Sequence, residues 1–192
     1  CGFVGSAASK NFNASPNYPA NGGMYSSTIT YNGTTITGLI TGYAKIYSVY
    51  YGGLQAAVDS ITGTGTTPYI YLTANVNESV SISTSKNITI YLEGKTWNGG
   101  TGNALSITGG ADNTSTITIT DSSSDSSVGS ISSSMVPIQG TYAGTLNVLR
   151  GKISATAYPA IAITGSYNQT LNIGNSTSNE TNLQITTSAS TY

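Results

Sequence analysis

The sequence predicts an all-β solenoid, and three observations carry that prediction. Four segments can be written under one another: Asn87-Ile-Thr-Ile-Tyr-Leu-Glu-Gly94, Thr116-Ile-Thr-Ile-Thr-Asp-Ser122, Thr145-Leu-Asn-Val-Leu-Arg-Gly151 and Thr170-Leu-Asn-Ile-Gly-Asn-Ser176. Their Ile90, Ile119, Val148 and Ile173 lie 29, 29 and 25 residues apart, a period that belongs to stacked repeat architectures. Within each segment the aliphatic residues alternate with Thr or Asn, which suits a wall that is apolar inside and polar outside. Clusters of turn formers, such as Gly99-Gly100, Gly109-Gly110 and Asp121-Ser-Ser-Ser-Asp125, separate the segments as corners would.

Residues 1 to 24 read as an irregular arm dense in Asn, Pro and Gly. A hairpin follows, with Ser27–Tyr31 and Thr34–Thr37 joined by Asn32-Gly33. Asn-Gly between alternating β-formers favours a type I′ turn, whose two central residues need positive φ. Residues 43–51 alternate at period two and read as one strand. Leu54, Ala57, Val58 and Ile61 then mark one apolar face of a short helix, closed off by Gly63, Gly65 and Pro68.

From Tyr69 onward the elements read as short strands in three registers. One runs through Val80 and Ile82, Leu105 and Ile107, Val136 and Ile138, then Ile161 and Ile163. A second is the column from Ile90 to Ile173, and a third runs through Trp97, Ile131 and Ile153 to Leu183 with Ile185. Three strands and three turns make one coil of a three-faced β-helix with about four to five coils. Four complete coils would stand only about 20 Å tall, so the ends matter. The helix at 54–61 is placed to cover the N-terminal end. The last coil, ending at Tyr192, has no equivalent cover; it invites pairing with another chain, and a longer β-helix of which this chain is a piece accounts for it equally well.

Composition narrows the function classes. Only 7% of the 192 residues are charged, there is no His, and 28 Ser and 30 Thr supply the polarity that charges normally would. The recurrent Ile, Val, Leu and Tyr argue against disorder. A net charge of −1 lacks the basic footprint of a nucleic-acid binder. No apolar run is long enough to span a membrane. The chain does not begin with Met, which points to a removed leader or to a fragment. Three readings of the lone Cys1 stand side by side: an acylated lipoprotein start, an intermolecular disulfide, or an accident of where the chain begins.

Ala44-Lys-Ile-Tyr-Ser-Val-Tyr-Tyr-Gly-Gly-Leu-Gln-Ala-Ala-Val-Asp59 resembles the entry cap of right-handed parallel β-helix proteins of prokaryotic cell surfaces. Ser85-Lys-Asn-Ile-Thr-Ile-Tyr-Leu-Glu-Gly-Lys-Thr96 is similar to the coil that follows there, and Thr118-Ile-Thr-Asp-Ser-Ser123 with Gly129-Ser-Ile-Ser-Ser133 also fits. The resemblance covers residues 43–185 and implies a right-handed, pectate-lyase-like architecture and a secreted or surface location. Such proteins include adhesins, stalks, sheath-like proteins and carbohydrate-active enzymes, so the fold alone assigns no chemistry. The expected organisation is an N-terminal arm and hairpin over 1–42 and the β-helix with its capping helix over 43–192.

Chemistry is sparse. Asp121 and Asp125 are the closest pair of aspartates; they could serve as an acid/base pair or hold calcium, but Asp is also a favoured turn residue and no third ligand sits nearby. Glu78, Glu93 and Glu180 are isolated and read as solvated positions. Without His or a Cys pair, zinc sites and nucleophilic triads lack their parts. No catalytic, cofactor or metal residue is therefore assigned. Tyr43, Tyr47, Tyr50, Tyr51, Tyr69 and Tyr71 cluster near the cap as candidate interface aromatics, with a protein partner favoured over a sugar. Asn13, Asn32, Asn77, Asn87, Asn113, Asn168, Asn175 and Asn179 head N-glycosylation sequons. The expectation is a non-enzymatic extracellular structural protein, a subunit of a self-assembling layer, sheath or filament whose partners are copies of itself. The alternatives are a tethered adhesin or carbohydrate-binding module, with cell-surface glycans as partners, and a minimal polysaccharide lyase acting through Asp121 and Asp125.

Overall fold

In the computed structural model the described residues are 24–25, 28–31, 34–37, 42–174 and 183–187. The expected arm up to residue 23, Cys1, Asn13, Asn32, Asn175, Asn179 and Glu180 lie outside them. The chain is almost entirely β. It opens with β1 (Met24–Tyr25), β2 (Thr28–Tyr31), β3 (Thr34–Thr37), β4 (Ala44–Ile46) and β5 (Val49–Tyr51), then α1 (Leu54–Asp59). Next come β6 (Tyr69–Leu72), β7 (Val76–Asn77), β8 (Val80–Ile82), β9 (Asn87–Tyr91), β10 (Thr96–Asn98), β11 (Leu105–Gly110) and β12 (Thr116–Thr120). The chain continues through β13 (Ser130–Ser133), β14 (Ile138–Tyr142), β15 (Thr145–Val148), β16 (Gly151–Ala155), β17 (Ile161–Ile163), β18 (Thr170–Ile173) and β19 (Leu183–Thr187).

From β6 onward, successive strands fall into three sheets in rotation, and every third strand returns to the same sheet. The first sheet has the order β1-β5-β4-β6-β9-β12-β15-β18, the second β7-β10-β13-β16-β19 and the third β8-β11-β14-β17. All pairings among β6 to β19 are parallel. The column predicted from the repeat is present: Ile70, Ile90, Ile119, Val148 and Ile173 are paired neighbours in turn. So is the column through Trp97, Ile131, Ile153 and Ile185. Ile90, Ile119, Val148, Trp97 and Ile131 are fully buried, and they join one apolar core that all three sheets share. Alternation explains this, because each strand sends every second side chain to one face.

Three local expectations are corrected. Residues 43–51 do not form one strand: β4 and β5 pair antiparallel with Ile46 opposite Val49. The turn is made by Tyr47, whose φ of 52° is the positive angle that a tight hairpin demands; no Gly or Asn advertises it. The helix ends at Asp59 rather than Ile61, with the Ser60 N–H bonded to the Ala56 carbonyl. The register of the third sheet is displaced at β14, where Ile138, not Val136, lies opposite Leu105, and Gly140 lies opposite Ile107.

Tyr142 is the reason for that displacement. A Cβ on Gly140 would come within 2.9 Å of the Tyr142 ring, so the missing side chain leaves room for the ring in the core. Tyr142 is buried, its hydroxyl has no hydrogen-bond partner among the described residues, and burial pushes its pKa up to about 12. An unsatisfied buried hydroxyl costs about 1–3 kcal/mol. Tyr142→Phe is therefore expected to raise the unfolding free energy by about 1 kcal/mol, measured by urea denaturation. It should also remove a loss of stability at alkaline pH. The neutral hydroxyl is favoured in the fold, so this contribution is complete below pH 10, the ordinary value, and is lost as pH rises through about 12.

Candidate functional site

The two ends of the three sheets are built differently. At the first end α1 packs against β4, β5, β6 and β8 and buries Leu54, Ala57 and Val58. Its N-terminus follows Gly53, which has no side chain to cap it. The cap comes instead from Glu78, whose Oε1 accepts the Leu54 and Gln55 N–H groups. At the other end of the helix the buried Lys86 ammonium donates to the Val58 carbonyl at 3.1 Å and to the Ile61 carbonyl. An anion at the N-terminus and a cation at the C-terminus both complement the helix dipole. Glu78 is thus not the isolated solvated residue that its sequence neighbourhood suggests.

One strand edge at this end is also occupied, that of β8, whereas β1 and β7 end their sheets with no further strand among the described residues. The Gln55 amide accepts the Ser81 N–H at 2.7 Å and donates to the Ser81 carbonyl at 3.1 Å. In this way a side chain stands in for the strand that β8, the edge of the third sheet, lacks. The first sheet changes direction at this end, where β4 runs antiparallel to β6 and is followed by β5 and β1.

At the opposite end no described element covers the sheets. Among the described residues no strand pairs with the outer edges of β17, β18 or β19. The apolar residues that continue the core columns are left uncovered there: Leu171 is 40% exposed, Ile173 53% and Ile185 38%. Unpaired edges of this kind are templates for another chain, and they lack the charged residues that normally guard them.

The cap aromatics divide. Tyr51 is buried in the core, which removes it from the interface set, and Tyr50 is half-buried. Tyr43, Tyr47 and Tyr69 are well exposed, Tyr47 at 80%. Tyr71 stacks on Tyr91, with ring centroids 4.8 Å apart and planes at 15°. Tyr69 meets Tyr91 edge-on at 5.7 Å, and the Lys45 ammonium lies 5.5 Å from the Tyr71 ring centre. One face of Tyr71 is therefore taken by Tyr91, which weakens the case for sugar stacking. Tyr91 belongs to this cluster although sequence reasoning left it out; its place opposite Tyr71 in β9 becomes visible only once the register is known.

Asp121 is buried and fully engaged. Its Oδ2 accepts the N–H groups of Gly94 at 3.0 Å and Gly129 at 2.8 Å, while Oδ1 accepts the Ser123 N–H at 2.7 Å and the Ser123 hydroxyl. Burial alone would raise its pKa, but these hydrogen bonds outweigh burial and hold the carboxyl below its ordinary 3.8. The carboxylate organises a loop, as the turn reading expects. The backbone of Asp125 opens the single 3₁₀ turn Asp125–Ser127 among the described residues. Glu93 accepts a hydrogen bond from the Ser122 hydroxyl. No group of three or more metal-ligating side chains occurs among the described residues, and no described helix is long and apolar enough to cross a membrane.

No family model, curated protein or solved structure matches this chain. The sequons therefore have to be judged by geometry. Asn77 and Asn168 are exposed. Asn113 is buried and donates to the Thr108 carbonyl at 2.6 Å and the Ile82 carbonyl at 3.3 Å, so in the folded chain its amide is not accessible for attachment of a glycan. Asn87 is half-buried, donating to the Thr64 carbonyl and accepting the Thr116 N–H. A shallow groove of about 510 Å³ crosses the second sheet, over the paired residues Asn98, Ser132, Ser154 and Thr186. The groove lining carries no charged side chain.

Proposed function

We propose that this chain is a right-handed parallel β-helix with a structural, non-enzymatic role: an extracellular subunit that assembles with copies of itself into a surface layer, sheath or filament. The rotation of parallel strands through three sheets supports the β-helix. Its handedness follows from the rule that parallel crossover connections are right-handed in about 98% of cases. The resemblance to prokaryotic cell-surface β-helix proteins supports the location. The observation that carries the assembly reading is the contrast in how the core is covered at the two ends: at one, α1 is seated over it and held by Gln55, Glu78 and Lys86, while the other leaves Leu171, Ile173 and Ile185 uncovered. The uncharged groove over Asn98, Ser132, Ser154 and Thr186 favours, as a second reading, a module that binds neutral glycans.

Light scattering after gel filtration, with negative-stain microscopy over a rising concentration series, tests the assembly reading. The full chain is expected to form end-to-end oligomers, and Ile173→Lys to abolish them. Because Ile173 is already 53% exposed, that substitution should change monomer stability by less than about 0.5 kcal/mol. A strictly monomeric chain at high concentration overturns the reading.

A further inference from the structure

The open edge of the first sheet has a specific sequence signature. Its rungs read Asn87-Ile-Thr-Ile90, Thr116-Ile-Thr-Ile119, Thr145-Leu-Asn-Val148 and Thr170-Leu-Asn-Ile173, paired in register. Each is polar, aliphatic, polar, aliphatic, with Thr or Asn at the polar positions. One further four-residue strand alternates in the same phase, with an aromatic in place of the last aliphatic residue: β2, Thr28-Ile-Thr-Tyr31. It pairs with β3 and with no other described strand, and a two-stranded hairpin is marginal by itself.

We infer that β2 of a second copy supplies the next rung, pairing parallel to β18 with Thr28 opposite Thr170 and Ile29 opposite Leu171. This rests on the end-to-end assembly proposed above and names the partner of the open end. In that register the apolar residues of β2 fall on the apolar columns, with Tyr31 beyond Ile173. The other hairpin strand, Thr34-Thr-Ile-Thr37, has the opposite phase; in the same register it would set Thr35 and Thr37 on those columns, and a one-residue slip inverts every side chain of a strand. β3 would then lie outside β2, antiparallel to it. That is how the sheet changes direction at its first end, where β4 runs antiparallel to β6.

Reach decides that the hairpin comes from a second molecule. β1 is fixed at the first end of the same sheet by pairing with β5. From β1 to β18 there are seven strand spacings in the sheet order, about 34 Å. From Tyr25 to Thr28 the chain has three residue steps, about 10 Å at full extension. The hairpin cannot reach its own β18. It projects from the first end of one subunit and meets the open end of the next, a heterologous contact that propagates as an open filament.

Two single-cysteine chains test this, each carrying Cys1→Ser: one with Thr28→Cys, the other with Thr170→Cys. Across a parallel pair the two Cα atoms would be about 4.8 Å apart, within the range that a disulfide bridges. Mixed in equal amounts and mildly oxidised, the full-length chains are expected to give the mixed disulfide as the main cross-linked product. Replacing the first partner by a Thr35→Cys chain should lower the yield at least fivefold. In the native background, Ile29→Lys should abolish oligomers and leave the monomer melting temperature unchanged. Oligomers without the mixed disulfide, or unaffected by Ile29→Lys, overturn the hairpin inference and leave end-to-end assembly standing. Absence of oligomers in the native chain overturns both.

Discussion

Trp97→Ala is expected to lower the unfolding free energy by about 3–5 kcal/mol, a large share of the roughly 5–15 kcal/mol that a domain commands. Trp97 is fully buried and sits between Val76 and Ile131 in the second sheet. Removing it opens a cavity beside the shortest strand of that sheet, β7, which has little else to hold it. The loss also reaches the cap. The indole N–H donates to the Glu78 carbonyl at 3.0 Å, and the carboxylate of the same residue holds the N-terminus of α1. Trp97→Phe should cost less, since it keeps most of the ring and loses chiefly that hydrogen bond. Urea denaturation in the Ile173→Lys background, where self-association does not add to apparent stability, checks both. A loss under 1 kcal/mol for the alanine variant would mean that Trp97 is not packed between Val76 and Ile131 as described.

The second large effect is expected at Asp121. Asp121→Ala strips the acceptors from the Gly94 and Gly129 N–H groups and from Ser123. The buried Gly129 N–H left without a partner costs about 1–3 kcal/mol, and the part-buried Gly94 and Ser123 donors, which water can reach, cost less, so a total loss of about 2–4 kcal/mol is expected. The site cannot adapt easily. A Cβ at Gly129 would lie 2.7 Å from Oδ2 and 2.6 Å from the Leu92 Cβ, so the loop is packed directly onto the carboxylate. Arg150 adds to the knot by donating to the Asp121 and Ser123 carbonyls at 2.9 and 2.7 Å. Asp121→Asn keeps one oxygen and should cost about half as much. The pH dependence separates charge from packing. With the folded pKa below the ordinary 3.8, the native chain has this contribution in full above 3.8 and loses it as pH falls through the folded value. In Asp121→Asn that part of the acid slope should vanish, as pH-dependent denaturation would show.

Local sequence was informative wherever structure depends on period. Ile90, Ile119 and Val148 are buried neighbours, with Ile173 next in the same column, because alternation and a regular repeat leave few other ways to pair these strands. Turn chemistry also predicts that Thr28–Tyr31 and Thr34–Thr37 pair antiparallel, and they do. What was illegible depends on contacts distant in sequence. Glu78 and Gln55, or Lys86 and Val58, carry no local sign that one will hold the other. Tyr47 makes a turn with a residue that rarely adopts positive φ, so 43–51 passed for one strand. Tyr51 and Asn113 show that a surface-type residue can be interior: one lies in the core, the other is bonded to the carbonyls of Thr108 and Ile82 on the neighbouring strands β11 and β8. The displaced register at β14 depends on Gly140 making room for Tyr142, a size match across two residues that period alone does not reveal.

The clamp on α1 has a consequence for the order of events during synthesis. Six residues are too few to hold a helix by themselves. The groups that grip its termini arrive 24 and 28 residues later in the chain. As the polypeptide emerges from its N-terminus, the lid must wait: Glu78 and Lys86 have to be made, and the strands that flank them paired, before the helix can seat.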